Sequence, residues 1–478
     1  MAQGASELVG GEFLHCTEDQ VDNIKELIEQ INTQHQDVVE LSNAIKELDD
    51  LLLSHTSGET IEVLYPKVPK ALQGYIELTM DMYHNPGYRF IESLLYRSSY
   101  YKNNLQSVCF GSLDKVDERP FVLSTPRLPD NNHLLFDANF THPALDKLFS
   151  ARTNPLSIID IEQIFSQFEL KGGLNYQELF SEEPAKKLHT KVENGVRVQY
   201  LGHAGFVIET NELCILVDPV IASKRADQDD LLISFAELPP HIDYICITHT
   251  HQDHANIETL LQLRHKTGTI LVPRNNGGTL CDPSLKLMLQ NLHFDVREME
   301  DMEALPLKQG SIVAVPFLGE HGDLHIRSKT AWYIKLEGNA LFFGADSANV
   351  EPAMYCHIQR ELGDMDLLAI GMECIGAPYT WIYGALYTQR ISKQVKDSRR
   401  LNGADFKQAA HLIDTFSPKH VYIYALGIEP WYKYFMGLEY DDDSTQIVES
   451  NKMIDFCARK DIPAKRLYAK QTLIFDPK

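Results

Sequence analysis

Four residues of metal-binding type fall within six positions, in the run His249-Thr250-His251-Gln252-Asp253-His254. The run follows the apolar segment YICIT, which reads as a strand, so the cluster belongs on a loop at a sheet edge. Alternate residues of an extended segment point the same way, so His249 and His251 can grip one ion together. Asp253 and His254 follow as the chain turns and can hold a second. Imidazole and carboxylate suit zinc, iron or manganese. Two ions ~3.5–4 Å apart need a bridging ligand, commonly a carboxylate or hydroxide. The spacing therefore predicts a dinuclear metal site.

This H-x-H-x-D-H arrangement resembles the signature of the metallo-β-lactamase superfamily. Upstream, Leu201-Gly202-His203-Ala204-Gly205-Phe206 and Val217-Asp218-Pro219 resemble the opening hairpin of that fold. Asp218 is expected to orient the histidine loop from behind. His203 reads equally well as an ordinary turn histidine. Downstream, Phe342-Phe343-Gly344-Ala345-Asp346-Ser347 resembles the strand-end aspartate that bridges the two metals, so Asp346 is expected to bridge.

The chain departs from the superfamily's hydrolases in two places. Those enzymes usually supply a histidine between the motif and the bridging aspartate. Here the segment is Pro316-Phe317-Leu318-Gly319-Glu320-His321-Gly322-Asp323, with both Glu320 and His321 available. A ligating His321 would give a hydrolase-like site. A ligating Glu320 would give a harder, more anionic site, better suited to iron than zinc. Hydrolases also place a histidine after a late strand. The matching strand, His420-Val421-Tyr422-Ile423-Tyr424-Ala425, ends without one, which leaves His411 and His420 as stand-ins.

With these departures, the segment PFLGEHGD, the FGADS aspartate and a Tyr- and Arg-rich stretch from Gly74 to Arg97 resemble the diiron β-hydroxylases, the family of the β-hydroxylase of chloramphenicol biosynthesis. The resemblance implies a non-haem diiron monooxygenase that hydroxylates the β-carbon of an amino acid. That amino acid would be tethered as a thioester to the carrier (thiolation) domain of a nonribosomal peptide synthetase. Two Fe ions would be held by His249, His251 and Glu320 on one side and Asp253 and His254 on the other, with Asp346 bridging. Dioxygen would be the co-substrate, an unidentified electron donor would supply two electrons, and the chain would form a homodimer. The alternatives are a dinuclear hydrolase with two Zn ions, and a non-catalytic scaffold.

The elements that position these residues are legible in outline. From Val196 onward short β-type runs dominate: VRVQYL, AGFVIET, LCILVD, YICIT, TILV, SIVAV, AWYIKL, ALFFGA, LLAI and HVYIYA. Helical stretches such as Ile257–Leu263 and Asp405–Thr415 fall between them. This α/β pattern fits a metallo-β-lactamase αββα sandwich over 186–478. Residues 1–185 are expected to form a mixed, largely helical α/β domain serving dimerisation and substrate access. Within it, 18–53 has the periodicity of one or two amphipathic helices. Residues 67–103 read as two further helices broken at Asn85-Pro86-Gly87. Residues 104–190 read as irregular α/β.

Bulk properties narrow the partners. The 478 residues carry 67 acidic against 44 basic side chains, a net charge of −23. Such a field argues against nucleic acid or an anionic membrane as partner. No apolar stretch reaches the ~20 residues that span a bilayer. The N-terminus lacks a basic start followed by an apolar run, so no secretory signal is expected. The eight cysteines have no C-x-x-C spacing and read as buried thiols in a reducing cytoplasm. The basic run Lys393–Arg400 is the candidate docking patch for an acidic carrier, and equally a solvated helix.

Overall fold

A computed structural model describes residues 18–111, 130–183, 188–222, 231–432 and 440–478. Helices α1 (Val21–Gln34) and α2 (Gln36–Leu53) open it, as the periodicity predicts. Only α2 buries side chains, Ala44, Leu48 and Leu52. A β-hairpin of β1 (Ile76–Met80) and β2 (Pro86–Phe90) follows, then the short α3 (Glu92–Leu95). The expectation of two helices here is wrong. Ile76 and Leu78 are buried while Glu77 and Thr79 are exposed, a period of two. The Asp81 carboxylate accepts the backbone N–H groups of Tyr83 and Asn85 and closes the turn.

The 104–190 region holds a three-stranded sheet of β3 (Ser107–Gly111), β4 (His133–Asp137) and β5 (Lys171–Gly172), packed with α4 (Pro143–Ser150) and α5 (Ile158–Phe165). The expected boundary at 185/186 lies outside the described residues, as does Cys16.

The remainder is a two-sheet sandwich. Its elements are β6 (Val196–Gly202), β7 (Gly205–Glu209), β8 (Cys214–Val217), β9 (Ile242–Cys246), α6 (Ile257–Leu263), β10 (Thr267–Pro273), α7 (Leu285–Asn291), β11 (Asp295–Met299), β12 (Ala304–Leu307), β13 (Gly310–Val315), β14 (Ala331–Leu336), β15 (Asn339–Phe343), α8 (Pro352–Leu362), β16 (Leu367–Gly371), α9 (Thr380–Tyr383), α10 (Lys393–Ser398), α11 (Phe406–Phe416), β17 (His420–Tyr424), α12 (Thr445–Ala458), β18 (Ala464–Arg466) and β19 (Gln471–Phe475). One sheet runs β11-β10-β9-β8-β7-β6-β19 and the other β12-β13-β14-β15-β16-β17-β18.

Alternation along the strands builds the layers. Leu341 and Phe343 of β15, with Leu367 and Ala369 of β16, face Phe206, Ile208 and Ile215 of the opposite sheet. Between them, Phe342, Leu368 and Ile370 face outward onto Tyr355 and Ile358 of α8 and Leu412, Ile413 and Phe416 of α11. Helices α6 and α7 cover the other sheet in the same way through Leu260, Leu263, Leu285 and Leu289. Strands buried on both faces read as continuous apolar runs, which is why their sequences are so uniformly hydrophobic.

The N-terminal elements are fastened to the sandwich. Glu92 at the start of α3 accepts the Ser284 N–H and the Asn275 side-chain amide, each at 2.8 Å. Arg264 donates to the Asp146 carboxylate at 3.0 Å and to the carbonyls of Phe140 and Leu292. No helix among the described residues is long and apolar enough to cross a membrane.

Candidate metal centre

Strands end together at one edge of the sandwich, and the loops that follow them carry the chemistry. After β9 come His249, His251, Asp253 and His254. After β8 comes Asp218, after β13 Glu320, after β15 Asp346 and after β16 Glu373. His203 lies in the turn between β6 and β7. Several of these loops hold non-glycine residues in the left-handed region: His203 (φ 48°), Asp218 (38°), Glu320 (69°), Ala345 (50°), Cys374 (60°) and Ala425 (57°). Each such residue costs ~1–3 kcal/mol and persists where the surroundings demand it. Gly371 has its own reason: a Cβ there would stand 2.7 Å from the Ala345 carbonyl and 3.0 Å from the Asp346 carboxylate.

The six residues expected as ligands come together. His251 Nδ1 lies 3.0 Å from Glu320 Oε1. Asp346 Oδ2 lies 2.9 Å from His254 Nε2 and 3.8 Å from His249 Nε2, so it faces both halves of the motif. Asp253 Oδ2 is 3.7 Å from His254 Nε2. Within each of the groups His249/His251/Glu320, His249/His254/Asp346 and His203/Asp253/His254, one ligand atom per residue falls within 4.8 Å of the others.

Contacts behind the cluster aim the rings. Asp218 is fully buried, accepts the Thr248 N–H at 2.7 Å and lies 2.8 Å from His254 Nδ1. Thr248 Oγ1 donates to the same carboxylate and sits 3.0 Å from His249 Nδ1. Both histidines therefore present Nε2 to the centre. His203 has a firmer role than the sequence suggests: its Nε2 is 2.9 Å from Asp253 Oδ2. Tyr200 and the His203 N–H both donate to the buried Glu429 carboxylate, which holds the turn.

Buried polar atoms without hydrogen bonds collect at the centre: His249 Nε2, His254 Nε2, Glu320 Oε2 and Asp346 Oδ1. An unpaired buried polar atom costs ~1–3 kcal/mol. Their convergence, with three imidazoles and three carboxylates as donors, fits a cationic occupant of the dinuclear kind. The electrostatics are divided: against the effect of burial, Asp346 and Asp253 hold His254 well above its ordinary value. Burial, with Asp346 and Asp253 nearby, holds the Glu320 carboxyl well above the usual carboxylate range. Burial pushes His249 well below its ordinary value and His251 down to about 4, so both imidazoles are neutral and free to ligate.

The other candidates join none of these groups. His321 is buried next to Glu320, but its Nδ1 meets the Tyr383 hydroxyl at 2.9 Å, and it joins none of these ligand groups. His411 is occupied by Asn349 and Thr415 on α11. His420 opens β17, at the end away from the cluster, against Phe475.

Three site residues escape sequence reading. Glu373 groups with Glu320 and Asp346, and burial together with those carboxylates raises its pKa well above the usual range. Its signal in the sequence is a carboxylate just past the apolar run LLAI. Tyr383 touches His251 and His321. Lys329 bridges to His249 through the backbone and donates to the Gly319 carbonyl at 3.1 Å, placing a cation beside Glu320.

A two-sheet sandwich with a histidine–carboxylate cluster at one edge defines a metal enzyme of the metallo-β-lactamase fold. Residues 214–383 match the β-lactamase superfamily domain, and residues 1–184 match the family described as the diiron non-heme β-hydroxylase N-terminal domain. The chain belongs to the diiron β-hydroxylase family. It is 36% identical over 474 residues to the 4-amino-L-phenylalanyl-[CmlP-peptidyl-carrier-protein] 3-hydroxylase of Streptomyces venezuelae, covering 97% of this chain and 88% of that protein. Its structure is similar to that of CmlA, a diiron β-hydroxylase from Streptomyces venezuelae, with a TM-score of 0.87 and 34% identity over 99% of this chain and 90% of that one. A metal-dependent hydrolase of Alkaliphilus metalliredigens is 36% identical over 76 residues, only 16% of this chain and 30% of that protein. The hydroxylase likeness spans both regions, and it favours the oxygenase over the hydrolase reading.

Proposed function

We propose that this chain hydroxylates the β-carbon of an amino acid held as a thioester on the carrier domain of a nonribosomal peptide synthetase. His249, His251 and Glu320 would hold one iron, Asp253 and His254 the other, and Asp346 would bridge them. The supporting observation is that Glu320, a carboxylate, stands 3.0 Å from His251 Nδ1, while the adjacent imidazole of His321 is turned to Tyr383. A carboxylate in that place makes the donor set harder and more anionic, which suits iron.

When bound, the iron pair supplies the redox chemistry by which dioxygen attacks a C–H bond. One oxygen atom enters the β-carbon as hydroxyl, and the other leaves as water with two electrons from an outside reductant. The chain's own residues do the rest. Asp218 and Thr248 fix the rings of His249 and His254. His203 restrains Asp253, whose side chain is 25% exposed and marks the open side of the site. Buried apolar walls such as Phe317 keep water from the cluster.

Partners follow from the same reading. A homodimer would cover α1, which buries no residue and exposes Val21, Ile28 and Ile31 on one face, with Val38 of α2 beside it. The unit boundary would fall near 185, separating a dimerisation and substrate-access unit from the catalytic unit. The cytoplasm suits cysteines that are all unpaired among the described residues. The basic docking patch needs revision. Arg399 donates to the Gly322 carbonyl and lies over the Tyr379 ring, and Arg400 donates to the Gly376 carbonyl. These two arginines tie the site loops together, which leaves Lys396 as the better docking cation.

The test is the mass of a carrier loaded with an aminoacyl thioester, after incubation with iron-loaded protein, reductant and isotopically labelled dioxygen. Gain of one labelled oxygen on the still-tethered amino acid is expected. Loss of the amino acid from the carrier without oxygen gain would mean a thioester hydrolase.

A further inference from the structure

We propose that Tyr383 is a positioning residue of the metal centre: its hydroxyl fixes the tautomer of His251 and, at the same time, turns His321 from a ligand into a support. The inference rests on the reading of His251 as a metal ligand. Tyr383 closes the short helix α9, and its ring packs in a cluster with Ile326, Tyr379 and Leu401, so packing sets where its oxygen lies.

The hydroxyl oxygen is 3.0 Å from His251 Nε2 and 2.9 Å from His321 Nδ1. It carries a single proton, so it can donate to only one of the two rings. His251 turns Nδ1 toward Glu320 and the cluster. To ligate through Nδ1, the imidazole must carry its proton on Nε2, and in a buried place that N–H needs an acceptor. The Tyr383 oxygen is that acceptor. Its own proton is then available to the remaining neighbour, His321 Nδ1.

The chain His251 Nε2–H to Tyr383 O–H to His321 Nδ1 has one consistent direction. It engages the Nδ1 lone pair of His321 and puts that ring's proton on Nε2, a buried atom without a hydrogen-bond partner, where a metal cannot bind. This accounts for a histidine one residue from Glu320 that stays out of the ligand groups. Tyr383 thereby separates the two candidates that the sequence leaves side by side.

The test titrates metal-free, full-length protein with cobalt(II) and follows the visible ligand-field absorption. Wild-type protein should bind two cobalt ions. Tyr383→Phe keeps the ring but strands the His251 N–H. It should retain the wild-type melting curve while one cobalt binds about 10- to 100-fold more weakly, the scale of such outer contacts. His321→Leu leaves Tyr383 able to accept from His251, so it should keep both cobalt ions with a smaller loss. In zinc-loaded wild-type protein, imidazole nitrogen NMR should find both histidines protonated on Nε2. Unaltered cobalt affinity in Tyr383→Phe, loss of a cobalt ion in His321→Leu, or an Nδ1-protonated form of either ring would overturn the inference and leave the metal reading standing. Wild-type protein that binds no cobalt would overturn both.

Discussion

The backbone N–H of Ala425 donates to the carbonyl of His203 at 2.9 Å. Ala425 follows β17, where hydrolases of this fold keep a histidine. In this chain an imidazole from the first hairpin stands beside that vacant position and reaches Asp253 instead. Replacing His203 with alanine removes the partner of Asp253 without touching His249, His251 or Glu320. One of the two metals should then bind about 10- to 100-fold more weakly. Metal content after dialysis against a graded chelator series checks this, and two ions retained as tightly as in the wild type would refute it.

The arginines at the end of α10 separate docking from loop architecture. Arg399→Glu should break the contacts to Gly322 and Tyr379 and lower metal content, because Gly322 follows Glu320 by two residues. Lys396→Glu should leave metal content and melting unchanged and raise only the KM for the carrier-bound substrate. Metal analysis with carrier-concentration kinetics distinguishes them. An Arg399→Glu protein with full metal and a raised KM would restore that arginine to the docking surface.

Arg264 joins the N-terminal elements to the sandwich through Asp146 and Phe140 and is anchored within the sandwich by the Leu292 carbonyl, with its own side chain only 7% exposed. Arg264→Ala leaves two carbonyls and a carboxylate without this donor. A loss of about 2 kcal/mol is expected, read as a lower midpoint in urea unfolding. An unchanged midpoint would mean that the two regions are held by other contacts.

The apolar face of α1 gives a direct test of association. Ile28→Asp with Ile31→Asp places charge on a face that buries nothing within one chain. Monomer fold and melting should be preserved while sedimentation shifts from dimer to monomer. A wild-type monomer, or a double variant that remains dimeric, would exclude this face as the interface.

The sequence made the catalytic half legible because its strands are buried on both faces. AWYIKL and LLAI are short, almost wholly apolar runs rich in strand formers, and β14 and the core of β16 fall where those runs do. The H-x-H-x-D-H loop was legible because all its residues are neighbours in sequence. The N-terminal hairpin was not. Its strands are five residues each, half-exposed, and closed by an Asp81 turn whose hydrogen bonds leave little trace in composition. Strands β11, β12, β18 and β19 are short or edge strands with mixed polarity, and they too escaped notice. Glu373 and Tyr383 lie over a hundred residues from the motif, and only the crossing of β16 and α9 brings them to it. The choice between Glu320 and His321 needed geometry, since adjacent residues differ by direction and not by position.

Glu320 is proposed to complete an iron site. Metal content and the optical spectrum of protein produced with iron and zinc both supplied test it most directly. Two irons per chain are expected, with the near-ultraviolet absorption of an oxo-bridged ferric pair. Two zincs per chain with a featureless spectrum would contradict it.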